Sequence, residues 1–435
     1  MINVSIISII RGILGLISLI IISYLLSNNK KKIKWRIVFV SILIQFVVGV
    51  FIIKIPFVQS LFKIFSSFFV RIIKYTTSGS SFLFSFLVDQ ENSSYIFAFQ
   101  VLPVIIFFSA LTSMLYHLGV IQRVVSFLAW LLNRFLKITG AESLSLAGNI
   151  FLGQTESPIL IKSYLEKMNK SQLFIVMVGG MSTVAGSVLA AYIGLLGGND
   201  VNEQLKFSTH LLTASVMAAP GAVAISKIIF PDSEKFVEDP VEIEKEKING
   251  NILLSITRGT IEGVKLAVNV GAMLLVFLAI IALLNDIMWL IGDIFRLNVL
   301  ISEFTNFDKF SIEFILGYLL APLMWLIGVT YQECSLMGQL LGIKIVSSEF
   351  VAFIQLADFK NIETSVGLLS NKSITMATFM LCGFANLASI GIQIGGIGVL
   401  APGQRKNLSE LGFKAMVAGT IVSLISACFA GILIS

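Results

Sequence analysis

The residues Asn149-Ile-Phe-Leu-Gly-Gln-Thr-Glu-Ser-Pro158 lie between two long apolar segments of a 435-residue chain that is 56% hydrophobic. Positions 153–157 hold a glycine, an amide, a hydroxyl, a carboxylate and a second hydroxyl, and a proline follows. At membrane depth a carboxylate costs roughly a few kcal/mol, so Glu156 requires a polar cavity or a partner. Gly153 and Pro158 disfavour a helix running through this point. A broken backbone at that depth is tolerated only inside protein or against a water-filled cavity. The stretch therefore predicts a re-entrant hairpin over residues 143–167 with Gly153-Gln-Thr-Glu156 at its tip.

The composition supports this setting. Charged residues make up 13% of the chain, phenylalanine occurs 35 times, and mean hydropathy is +0.92. So few charges cannot cover a soluble surface, and the chain reads as an all-α polytopic membrane protein. The net charge of +6 is then a cytoplasmic lysine and arginine excess, not a nucleic-acid footprint. Cys334, Cys382 and Cys428 show no metal-ligand spacing, and His117 and His210 sit near the ends of apolar runs. The first apolar stretch carries Arg11 and no small-residue cleavage site, so it reads as a membrane helix.

Outward from the hairpin, about eight spanning helices are expected, with two re-entrant hairpins and interfacial helices. Residues 5–27 span and end in Asn28-Asn-Lys-Lys-Lys-Ile-Lys-Trp-Arg36, which the positive-inside rule places in the cytoplasm. Residues 37–55 return. In 57–90, Lys63, Ser67, Arg71 and Lys74 recur at helical spacing, which predicts a helix along the outer interface. Residues 96–116 cross inward with Pro103 as a kink, and Gln122 to Lys137 form a polar stripe along the cytoplasmic face. After the hairpin, residues 172–196 hold Gly179-Gly-Met-Ser-Thr-Val-Ala-Gly-Ser-Val188, read as a partly unwound helix or as close helix packing. Residues 207–229 cross again, 231–250 form a charged cytoplasmic loop, and 261–292 make a long apolar helix.

The pattern then recurs. A second hairpin over 310–357 is expected to turn at Gly328-Val-Thr-Tyr-Gln-Glu333. A second interrupted helix, 373–397, contains Gly383-Phe-Ala-Asn-Leu-Ala-Ser-Ile-Gly391, and 411–433 closes the chain. The two hairpins enter from opposite sides, an inverted repeat of the kind that builds secondary transporters around a midplane site. The expected units are 1–94 (N-terminal scaffold or peripheral helices), 95–142 (third spanning helix and interfacial helix) and 143–230 (first repeat). Then come 231–260 (cytoplasmic linker), 261–309 (long scaffold helix) and 310–435 (second repeat).

The Gly153–Pro158, Gly328–Glu333 and Gly383–Gly391 motifs, with Ser348-Glu-Phe-Val-Ala352, Leu400-Ala-Pro-Gly-Gln-Arg405 and Gly419-Thr420, resemble the concentrative nucleoside transporter family, bacterial branch. The resemblance runs from about residue 95 to the end. It implies a homotrimer in the bacterial inner membrane that imports nucleosides by cation symport, and the positive-inside rule puts both termini outside the cytoplasm. It also implies that Gln154, Thr155, Glu156 and Val188 hold the base, that Glu333, Asn386 and Ser389 hold the ribose, and that Phe384 packs on the substrate. An amide, a hydroxyl and a carboxylate suit base edges, and carboxylates accept well from sugar hydroxyls. The resemblance further implies a sodium site from the Asn149 side chain, the Thr183 hydroxyl and the Leu152 and Val184 carbonyls, with threonine where serine is usual. Sodium is the favoured coupling ion, and a proton-coupled nucleoside or nucleobase symporter is the alternative. No other cofactor and no nucleic-acid partner is expected.

Two other classes fit less well. An intramembrane enzyme needs a nucleophile or metal set, and the chain has no His-Glu-x-x-His or Gly-x-Ser-x-Gly motif. A passive channel suits two closed hairpin tips less well than an occluded site does.

Overall fold

The computed structural model describes residues 6–88, 96–198, 200–232, 251–360 and 368–434. Helices α1 (Ile6–Leu25) and α2 (Trp35–Lys54) flank a basic turn, and α3 (Pro56–Phe84) follows α2 directly with Pro56 in its first turn. One face of α3, with Ser66, Phe69, Ile72 and Thr76, is buried, while Lys63, Arg71 and Lys74 are exposed. Next come α4 (Phe97–Gln100), α5 (Leu102–His117) and α6 (Val120–Leu136). Pro103 lies in the first turn of α5, after a break at Val101. The span 97–117 is thus interrupted just before Pro103, which sits in a helix's first turn, where a missing N–H costs nothing.

The first hairpin begins with α7 (Gly140–Asn149), three residues earlier than expected, because Thr139 and Glu142 form a reciprocal capping box there. It returns through an irregular tip, a 3₁₀ turn at Ser157–Ile161 and the short α8 (Lys162–Leu165). The expected interrupted helix is α9 (Lys170–Ser182) and α10 (Gly186–Gly197), separated by extended backbone at Thr183. Helix α11 (Val201–Ile229) completes this half. Residues 233–250 of the expected linker lie outside the described residues.

The second half opens with the 43-residue α12 (Ile252–Ile294), then α13 (Leu297–Phe304) and α14 (Ile312–Leu326). Ser255, Gly259, Gly263 and Ala267 form the buried stripe of α12, spaced four apart. A Cβ on Gly259 or Gly263 would come within 2.8 Å of the α5 backbone at Ala110 or Ile106, so these glycines set the close approach of α12 and α5. Helices α15 (Cys334–Val346), α16 (Glu349–Lys360), α17 (Asn371–Leu381), α18 (Leu387–Leu400) and α19 (Arg405–Leu433) follow.

Here the structure corrects the sequence reading. The second hairpin is α15 and α16, and its tip is Ser347-Ser348-Glu349, not Gly328–Glu333. The Gln339 amide donates across it to Gln355 at 3.2 Å, as Ser157 reaches back to the Ser145 carbonyl at 2.6 Å across the first hairpin. Gly328–Glu333 is the connection from α14 into α15. Gly328 sits there with φ +102°, a conformation that glycine adopts without strain.

Eight helical stretches among the described residues are long and apolar enough to cross a membrane. They include α3 but not the α17–α18 pair, whose break leaves each piece too short. The polar ends sort consistently. At one end Lys34 approaches Asp232, Asn28 donates to the Ile229 carbonyl, and Lys170 pairs with Glu410. At the same end Gln404 donates to the Met168 carbonyl. Lys227 is buried there between Glu142 at 2.8 Å and Asp232 at 2.7 Å. Burial raises the Asp232 pKa, but Lys227 and Ser171 outweigh it and hold the carboxyl below its ordinary range.

Candidate substrate and ion site

Both interrupted helices break at the same place in the bundle. The Phe384 N–H donates to the Thr183 carbonyl at 3.2 Å, so one break is pinned on the other. Gly383 (φ +153°) lies so close that a Cβ would sit 3.0 Å from the Met181 and Ser182 carbonyls. A larger residue would push the breaks apart. Beyond its break, α18 is capped by Asn386, whose Oδ1 accepts from the Ser389 N–H at 2.8 Å. This cap satisfies a helix donor and fixes where the Asn386 nitrogen points.

The first hairpin tip seats against this junction. The Phe151 carbonyl accepts from the Gly186 N–H at 3.0 Å and ties the tip to the first turn of α10. Thr155 rests on α18 at Gly396, where a Cβ would meet its methyl at 2.7 Å. Glu156 accepts from the Gly153 N–H at 3.2 Å and keeps solvent access. Gln154 is buried; its Nε2 donates to Ser389 Oγ at 3.1 Å, and its Oε1 accepts from Gln393 at 3.1 Å. Val188 is buried in the first turn of α10, and Phe384 is half-buried.

A continuous polar chain results. It runs from Gln154 through Ser389 to Asn386, whose Nδ2 donates to Glu349 Oε2 at 2.7 Å. The other Glu349 oxygen accepts from the Tyr192 hydroxyl at 3.0 Å. Tyr192 is fully buried between Phe350 and Phe353, so its position is set by packing. Lys344 is also fully buried; it donates to the Met380 carbonyl at 2.8 Å and lies within electrostatic reach of Glu349. A buried carboxylate needs such partners, and this one keeps unused lone pairs.

Glu333, the carboxylate expected beside Asn386 and Ser389, is not brought to them. It accepts from Thr330, from the Ser370 N–H, and from the Ser370 and Ser373 hydroxyls at 3.2 and 2.6 Å. Ser370 and Ser373 are the start of α17, where a negative charge offsets the helix dipole, and Thr330 belongs to the connection that carries Glu333 itself. The internal repeat carried the signal that distinguishes the two. Glu142-Ser-Leu stands fourteen positions before Glu156, and Glu333-Cys-Ser-Leu stands sixteen before Glu349. Glu333 thus matches the carboxylate at the hairpin start, and Glu349 matches the one at the tip. Tyr192 and Gln393 had no local signal of this kind, since each is one residue in an apolar helix.

Of the expected ion ligands, Asn149 is 1% exposed and neither amide atom has a hydrogen-bond partner. Its nitrogen faces α9 at Gly179, where a Cβ would approach it to 3.3 Å. The Thr183 hydroxyl donates to the Gly179 carbonyl at 2.9 Å, which uses its proton and leaves its lone pairs. Among the described residues no hydrogen bond reaches the Leu152 or Val184 carbonyl. An orphaned buried amide beside uncommitted oxygens is costly in an apolar interior and fits a small cation.

Comparison with known proteins agrees with this architecture. Residues 14–87 and 210–431 match the families described as Na+ dependent nucleoside transporter N-terminus and C-terminus, and residues 98–199 match one described as nucleoside recognition. An uncharacterized transporter of Haemophilus influenzae is 38% identical over 98% of both chains. Sodium/nucleoside cotransporter 2 of Rattus norvegicus is 37% identical over 96% of this chain, which spans 62% of that longer protein. The structure of CNTnw in an inward-facing substrate-bound state superposes with a TM-score of 0.88 at 36% identity, over 98% of this chain and 99% of that one. An outward-facing CNTnw structure gives 0.89, over 98% of each. These transporters are not enzymes, and the chain belongs to their family, the concentrative nucleoside transporters, as one of its bacterial members.

Proposed function

We propose that this protein imports nucleosides by symport with sodium, and that the polar chain from Gln154 to Glu349 is the substrate site. The observation that carries the reading is that chain, which joins one hairpin tip to the other through the start of α18 at the second helix break. Gln154, Thr155 and Glu156, with Val188 as an apolar wall, face the base. Asn386, Ser389 and Glu349 take the ribose, and Phe384 packs on the substrate. Glu349 replaces Glu333 in this role, because Glu349 and not Glu333 accepts from Asn386. A carboxylate accepts from sugar hydroxyls in charge-assisted bonds, roughly twice as strong as neutral ones.

Sodium occupies the pocket of Asn149, Thr183 and the Leu152 and Val184 carbonyls. Neutral oxygens hold it weakly enough to be released on every cycle. Occupancy ties the first hairpin tip to the first helix break, so a filled ion site organises the face that receives the base. The assembly is a homotrimer in the bacterial inner membrane with both termini outside. The end that carries Lys30 to Arg36 and Arg405 is cytoplasmic by the positive-inside rule. The test is uptake of radiolabelled nucleosides into proteoliposomes under an imposed sodium gradient, a proton gradient, or neither. Accumulation above equilibrium with sodium alone is expected. Uptake driven by protons and indifferent to sodium would retain nucleoside transport and remove the sodium site.

A further inference from the structure

Gln393 lies on α18, two turns beyond Asn386, and is fully buried. Its Nε2 donates to the Met177 carbonyl at 3.0 Å and to Gln154 Oε1 at 3.1 Å. A backbone carbonyl only accepts, so the Gln393 nitrogen must be the atom that faces it. That nitrogen in turn requires the oxygen of Gln154. The Gln154 nitrogen is thereby directed at Ser389, whose hydroxyl oxygen accepts and whose proton remains free to donate. Gly180 leaves the space for this pair: a Cβ there would stand 2.7 Å from Gln393 Nε2 and 2.9 Å from Gln154 Cβ.

We propose that Gln393 is a positioning residue for substrate selectivity, which holds the Gln154 amide in a single orientation toward the base. This rests on the nucleoside-site reading above. With the amide turned over, Gln154 would present its oxygen to Ser389, consume the serine proton and offer the base the reverse order of donor and acceptor. Bases differ in that order along their edges. A site that holds one order rejects the other, because a buried polar group is left unpaired. Gln393 Oε1 is itself buried with no partner, a cost that an apolar residue packing α18 on α9 would not incur.

The experiment measures kcat/KM for uridine, cytidine, adenosine and inosine uptake in wild type, Gln393→Met, Gln393→Leu, Gln154→Leu and the Gln154→Leu/Gln393→Met double variant. Folded yield is followed by size exclusion. Gln393→Met keeps the volume and removes the donor. It is expected to narrow the ratio between the best and worst nucleoside by about threefold to tenfold, the range of one neutral hydrogen bond. In the Gln154→Leu background the same change should leave the ratio unaltered, since no amide remains to be oriented. Gln393→Leu supplies the same readout if the methionine variant folds poorly. An equal fall for all four nucleosides, or additive effects in the double variant, would make Gln393 a packing residue and overturn the proposal. A Gln393→Met protein with wild-type selectivity would overturn this inference alone. A wild type that carries none of the four would overturn it together with the site reading.

Discussion

Glu349 and Glu333 are single carboxylates of the same half of the chain, and exchanging each for glutamine separates their roles. Glu349 accepts from Asn386 at 2.7 Å and from Tyr192 at 3.0 Å, and it has lone pairs left for two sugar hydroxyls. In Glu349→Gln one oxygen becomes an NH₂ group. It donates instead of accepting, and the charge that strengthens the sugar contacts is gone. Hydrogen bonds to charged groups contribute about 1.5–3 kcal/mol each. Weakening two of them to neutral strength loses roughly 2–3 kcal/mol, or about 30- to 150-fold in kcat/KM. Substrates lacking the ribose hydroxyls should register little of this, so the preference of wild type for uridine over 2′,3′-dideoxyuridine should nearly vanish in the variant. Glu333→Gln loses instead the charged cap of α17, worth about 1–2 kcal/mol of stability, and should keep uptake within about threefold of wild type. The assay is initial-rate uptake in proteoliposomes at matched protein density, with thermal unfolding of the detergent-solubilised variants alongside. If Glu333→Gln abolished uptake while Glu349→Gln transported normally, with its ribose preference intact, the assignment drawn from the Asn386 contact would be refuted.

Asn149→Ala should raise the sodium concentration for half-maximal uptake at least severalfold; Thr183→Ser should be nearly silent and Thr183→Val should mimic the asparagine defect, all read from sodium titrations of uptake. Lys227→Met should lower stability by about 3–5 kcal/mol, since it strands the buried Glu142, and denaturant or thermal unfolding in detergent would measure it. Because Asp232 has a lowered pKa in the fold, its pairing stabilises fully above the ordinary aspartate value of about 3.9 and is lost as pH falls through the folded value; Lys227→Met should remove that acid-sensitive portion. Single cysteines at Lys32 and Lys406 should resist an impermeant maleimide applied to intact cells, whereas one at Asp308 should react, and the opposite pattern would reverse the proposed orientation.

Much of this arrangement was legible locally. Glu156 beside Gly153 and Pro158 marks a broken element at membrane depth, because neither a lone carboxylate nor that backbone suits a lipid-facing helix. Gly179 to Val188 and Gly383 to Gly391 place both helix breaks within a few residues of where they occur. Pro103 marks an interruption of its span, and the structure adds that the break falls at Val101, with the proline in the first turn that follows.

The choice of carboxylate in the second half was decided by tertiary structure. Locally, Glu333 and Glu349 have the same surroundings in the sequence, small or hydroxyl residues, an apolar approach and one acid, and only the spacing of the internal repeat tells them apart. What separates them is the partner, the start of α17 for one and the Asn386 cap with the α10 tyrosine for the other. The Gln393–Gln154–Ser389 relay is likewise non-local, joining residues more than two hundred positions apart. Hydrophobicity, glycine and proline act on the chain within a turn or two, so sequence alone establishes where helices run and where they break. A polar side chain at such a break acquires its role from the donor that the fold brings to it. That donor is supplied by a different helix, and only the packing of one repeat against the other determines which.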